Sequence, residues 1–139
     1  MYPFIDWTII NWTSLIIATL AAYGLGALWY SQLLFGKMWI AGNSLKSSGM
    51  DKGPEMYKLM GLSLIVTLIM SFVLTQFIGM GAGAQMGMRA GLLAGIGFSS
   101  TGILLNGIYL KKSTNVLAID CTYLIASLTI MGTILGYWS

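Results

Sequence analysis

Asp120 is the residue of this chain best placed to do chemistry. It stands in AIDCTYLIAS, where it is the only charged residue, and on a helix Tyr123 and Ser127 share its face. A carboxylate beside a phenol and a hydroxyl can bind a proton or a small cation, and an ionisable residue at membrane depth is a candidate for such coupling. The same placement also describes a pinned ion pair. Asp120 falls about one turn inside a predicted helix, near the positive end of its dipole, with Lys58, Lys111 or Lys112 able to reach it.

Three further groups bear on function. Ser63, Thr67, Ser71 and Thr75 recur at intervals of four and form a hydroxyl stripe on one helix face. Such hydroxyls bond a carbonyl one turn back or bridge to a neighbouring helix, at about 0.6 kcal/mol each. The alternative is that they line a polar pathway together with Asn106 and Asp120. Arg89 stands alone between long uncharged stretches, as an interfacial anchor or as a bidentate contact for a lipid phosphate or a solute anion.

Catalytic sets are scarce. The chain has no histidine, so no Ser–His or Cys–His pair can be built, and zinc would have only Cys121 and carboxylates. Two acids sharing one proton are also missing, because Asp120 alone is predicted at depth. Cys121 points about 100° away from Asp120 on a helix and reads as a small apolar filler. Haem ligation lacks its usual imidazole, so no cofactor and no metal are expected. The sequence predicts a protein that is not an enzyme.

The elements that must position these residues follow from composition. Of 139 residues, 57% are hydrophobic and 8% charged, with a mean hydropathy of +0.81. Eleven charged residues cannot cover a soluble domain of this size, so lipid is the natural solvent for most of its surface. The net charge of +3 sits in particular loops and is topological information, not a nucleic-acid footprint. The N-terminal MYPFIDW has neither a basic region nor a cleavage pattern, so the first helix is expected to be retained.

Charge-free stretches predict one transmembrane domain, 1–139, with helices at about 11–34, 59–78, 89–110 and 116–138. The segment 79–88 is too glycine-rich to be expected as rigid helix. Segment 36–58 is the longest extramembrane loop, with Met38, Trp39 and Ile40 in the headgroup layer. The expected fold is an all-α bundle of four transmembrane helices. Six of seven Lys and Arg fall in the first and third loops, which the positive-inside rule places in the cytoplasm with both termini outside. Small residues form three stripes suited to close helix contact: Ala18, Ala22 and Gly26; Gly87, Gly91, Gly95 and Ser99; and Gly132 with Gly136. In the third helix, Ser99 to Thr101 and Asn106 are expected to face protein.

Trp29, Tyr30, Ser31, Phe35 and Trp39 gather where the first helix ends and read as an interfacial aromatic anchor. The segment that holds them, GALWYSQLLFGKMW, resembles the signature of a bacterial membrane-protein family, domain of unknown function 1761. The last helix, AIDCTYLIASLTIMGTILGYW, is similar to that family's final helix. Gln32 stands where the family usually has proline after WYS. The resemblance implies a small multi-pass protein of a bacterial inner membrane and carries no activity to transfer.

Three stripes exceed what one four-helix bundle needs internally. The expected function is therefore non-catalytic, as a homo-oligomer or an accessory subunit of a membrane complex. The alternative is a transporter or channel for small solutes, cations or protons, acting as a dimer. The expected partners are lipid and other membrane-protein chains.

Overall fold

The computed structural model describes residues 3–43 and 54–139, and every regular element among them is helical. A short 3-10 turn, Trp7–Ile9, leads into α1, Trp12–Trp29. A short helix α2, Gly36–Gly42, follows. The long helices α3, Pro54–Ile78, α4, Gly83–Tyr109, and α5, Thr114–Tyr137, complete the chain. Helices α1, α3, α4 and α5 are each long and apolar enough to cross a membrane. The fold is the expected all-helical membrane bundle. The middle of the predicted basic loop, 44–53, lies outside the described residues.

Local chemistry sets the helix ends. Asn11 caps α1 by accepting from the Ser14 N–H, and Ser113 caps α5 by accepting from the Val116 N–H. Helix α3 starts at Pro54 rather than 59, because proline at the first helical position lacks only an N–H that would be orphaned there. Helix α1 stops at Trp29 rather than 34, although no proline follows. The Ser31 hydroxyl bonds the Leu28 carbonyl at 2.6 Å, and the chain folds back so that the Phe35 N–H meets the Trp29 carbonyl at 3.0 Å. Gly36 closes this turn, since a Cβ there would press on the backbone of Tyr30 and Ser31.

Helix α5 is the central element and touches every other described helix. Ala18 and Ala22 of α1 are fully buried with Leu128, Met131 and Leu135 of α5, and Leu74 and Ile78 of α3 complete this core. On its other side α5 lies backbone to backbone with α4. A Cβ on Gly87 would strike Gly132 and Gly136, and one on Gly91 would strike Leu128. One on Gly95 would come within 2.8 Å of the Ile125 Cα. Helix α4 therefore begins at Gly83 instead of 89. The entropy that glycine costs a helix, about 0.5–1 kcal/mol per residue, is offset by contacts that only a missing side chain permits.

This packing changes the meaning of the small-residue stripes. Two mesh with each other, Ala18 and Ala22 are buried in the core, and Gly26 makes room for Tyr123. All three are used within one chain, so they supply no surplus face for association. Within α4, residues Gly95–Ser100 widen to a π-helical turn. Within it Ser100 is buried and Ser99 half-buried, but Asn106 further along is exposed. Thr101 is exposed as well and bonds only carbonyls of its own helix, so the expectation of facing protein holds for Ser99 and Ser100 and fails for Thr101 and Asn106 within the chain.

The two ends of the bundle are distinct. The Asn11 amide donates to the Trp138 carbonyl and the Ala82 N–H to the Ser139 hydroxyl, so at one end the two terminal segments meet each other and the C-terminal one meets the α3–α4 loop. At the other, Gly42 packs on Val116 and Ser113, joining α2 to the start of α5.

Candidate functional site

Asp120 lies nearly two turns inside α5, because that helix starts at Thr114. The helix dipole fades within the first turn and contributes little at this depth. The partners of Asp120 are neutral. The Tyr30 hydroxyl donates to its Oδ1 at 2.7 Å, and the Trp39 indole N–H donates to the same oxygen at 3.0 Å. Among the described residues no ion pair forms at Asp120, so Lys58, Lys111 and Lys112 do not serve it as partners. No protein hydrogen bond among the described residues reaches its Oδ2.

The chain builds this site from its aromatic turn. Ending α1 at Trp29 releases Tyr30 toward α5, and α2 then carries Trp39 back over the same acid. The rings interlock. Tyr30 meets Trp39 edge-on at 5.5 Å and Tyr123 edge-on at 5.2 Å, and Trp29 tilts against Phe35 at 4.9 Å. Trp29 also donates its indole N–H to the Ile119 carbonyl at 3.1 Å. Gly26 leaves the space that Tyr123 fills, since a Cβ there would lie 2.7 Å from the Tyr123 hydroxyl.

Trp29, Tyr30 and Trp39 are half-buried and hydrogen-bonded to the bundle itself. Each sends its polar tip into the bundle, because a Tyr or Trp donor removed from water needs an acceptor. The sequence places these donors 81 to 90 positions from Asp120 and Ile119 and offers as signal only three donors and one acid within uncharged stretches.

The other candidates disperse. Ser127 is buried and its hydroxyl has no partner, but it sits about 10 Å along α5 from Asp120, outside the cluster. In the hydroxyl stripe, Ser63, Thr67 and Thr75 bond carbonyls of their own helix, to Met60, Ser63 and Ser71 respectively. The Ser71 and Thr19 hydroxyls meet at 3.0 Å, and because Thr19 donates its one proton to the Leu15 carbonyl at 2.7 Å it serves Ser71 as acceptor, a bridge from α1 to α3. Asn106 faces outward, and Arg89 is exposed at the opposite end from Asp120. Among the described residues no three Cys, Asp or Glu side chains gather as a metal site requires.

A second polar contact secures the N-terminal segment. The Asp6 N–H donates to the Gln76 side chain at 2.9 Å, and that amide donates back to the Asp6 carbonyl at 3.3 Å. The Asp6 carboxylate accepts from the Thr8 hydroxyl and N–H, which hold its pKa below the usual carboxylate value.

The family model described as "Protein of unknown function (DUF1761)" matches residues 13–136. The chain belongs to this family. No curated protein and no solved structure matches it. The DUF1761 match spans both the aromatic turn and the Asp120 helix, the two segments on which the sequence resemblance rested. In the fold these segments form one cluster.

Proposed function

We propose that the protein is a non-catalytic membrane subunit, acting as a homo-oligomer or as an accessory chain of a larger membrane complex. One observation supports this: most of the polar groups predicted at membrane depth already find their hydrogen-bond partners within the chain. Asp120 is engaged by Tyr30 and Trp39, and three hydroxyls of the stripe by their own helix. With the small-residue stripes also consumed internally, association rests on the outward apolar faces of α1 and α3, such as Ile16, Leu20, Ile65 and Ile69. Native mass spectrometry and in-membrane crosslinking test it. Oligomers or a co-purifying membrane protein are expected, and a chain that is monomeric and partnerless in mild detergent overturns it.

In this proposal the membrane is a bacterial inner membrane, with the basic end of the bundle in the cytoplasm and both termini outside. A cysteine at Ser139 should label from outside intact cells, and one at Lys112 only after permeabilisation.

One observation favours a second function. Asp120 keeps one carboxylate oxygen without a protein donor among the described residues, as a proton- or cation-coupled carrier would need. Asp120→Asn should then abolish coupled flux in liposomes, and folded protein without flux for any small solute class sinks it.

A further inference from the structure

We propose that the cleft between α3 and α4 is a phospholipid site, with one acyl chain in the cleft and the lipid phosphate on Arg89. The two helices leave between them a cavity of about 420 Å³, lined by Ile69, Val73, Phe77, Ala94 and Phe98 and floored by Leu128 of α5. A second lobe of about 260 Å³ continues past Ala90 and Leu93 toward the α3–α4 loop. Apart from Ser99, every lining residue is apolar. Such a groove in a bilayer forfeits dispersion contacts until a flexible chain fills it.

Dimensions and charge choose the occupant. From Ala90 to Phe98 the helix rises about 12 Å at ~1.5 Å per residue. That is close to half of a hydrocarbon core of about 30 Å, the depth of one leaflet. Arg89 adjoins Ala90 and stands one helical turn before Leu93, so it lies over the mouth of the upper lobe, with Gln85 one turn further out. It is exposed, and among the described residues its guanidinium has neither an ion pair nor a side-chain hydrogen bond. Asp6, the acid at the same end, is committed to Thr8. A guanidinium is a bidentate donor to phosphate, and its apolar stem lets it reach the interface from within the leaflet. A charged head above one leaflet's depth of apolar groove fits a phospholipid, whereas a second protein chain would need no phosphate contact.

The test uses the full chain in mild detergent, offered dioleoylphosphatidylglycerol or dioleoylglycerol, with retained lipid counted by native mass spectrometry. One phosphatidylglycerol should be retained at least tenfold better than diacylglycerol, which has the same chains and no phosphate. Arg89→Gln should lower phosphatidylglycerol retention about tenfold, and Val73→Trp, which fills the cleft, should remove both lipids. Both positions are exposed, and circular dichroism verifies that the variants fold. Equal retention of the two lipids by the unaltered chain, or wild-type retention by both variants, overturns the proposal. A photoreactive residue at Phe98 should crosslink to lipid in phosphatidylglycerol nanodiscs. A crosslink to a second protein chain instead overturns the lipid site while supporting the association proposed above.

Discussion

Replacing Asp120 by Leu removes the acceptor on which Tyr30 and Trp39 converge and strands two donors. An unpaired donor costs about 1–3 kcal/mol when fully buried. Both rings are half-buried, which brings the pair to roughly 2–3 kcal/mol once partial hydration is allowed for. Asp120→Asn keeps an amide oxygen for both donors and loses only the charge assistance, about 1 kcal/mol or less, since neutral hydrogen bonds are roughly half as strong. Tyr30→Phe deletes one charge-assisted bond and falls between the two, at about 1–2 kcal/mol. Thermal unfolding in detergent, at about 4 °C per kcal/mol for a chain of this size, should therefore rank the variants Asp120→Leu, Tyr30→Phe, Asp120→Asn from most to least destabilised. The combination is sharper. With Leu at position 120 the Tyr30 hydroxyl has no acceptor, so adding Tyr30→Phe should be neutral or slightly stabilising. If Tyr30→Phe costs the same in both backgrounds, or Asp120→Asn falls as far as Asp120→Leu, the clasp does not hold the bundle as described.

Glycine positions separate contact from propensity. Gly87→Ala drives a methyl into the Gly132 backbone and should cost about 1–3 kcal/mol or more. Gly61→Ala, with open space around it, should stabilise by about 0.5–1 kcal/mol, read by the same melt. Ser71→Ala should cost no more than about 0.6 kcal/mol, because Thr19 keeps its bond to the Leu15 carbonyl. The depressed pKa of Asp6 makes its contribution present above the unfolded carboxylate value and lost as pH falls through the folded one. Acidification should therefore loosen the Trp7–Ile9 turn, seen as faster amide exchange at Thr8, and Asp6→Asn should flatten that dependence.

Much of the fold was legible because lipid imposes a simple code: long uncharged stretches become helices. Boundaries were less legible. The glycine-rich segment 79–88 splits: at 79–82 the chain does leave the helix, with Gly79 and Gly81 at positive φ, whereas over 83–88 only the partner glycines of α5 show why helix is favoured. The site was legible as residues but not as a site. Asp120 stood out from its isolation, and the aromatic turn from its clustering. Their meeting depends on a turn closed by Ser31 and Gly36, which no periodicity reveals. Outward belts and inward clasps also use the same residue types, since a Trp or Tyr at membrane depth satisfies its donor equally well with water, headgroup or protein.

The clasp joins residues 90 positions apart, and this separation bears on how the chain is made. At about 5–20 residues per second, α1 and the aromatic turn emerge from the ribosome several seconds before Asp120 exists. During that interval the Tyr30 hydroxyl and the Trp29 and Trp39 indoles must be served by interfacial water or by the insertion machinery. Arrival of the last helix then draws all three inward. Truncation before α5 should leave an early intermediate whose aromatic turn is exposed at the membrane surface, the form that quality-control proteases would meet first.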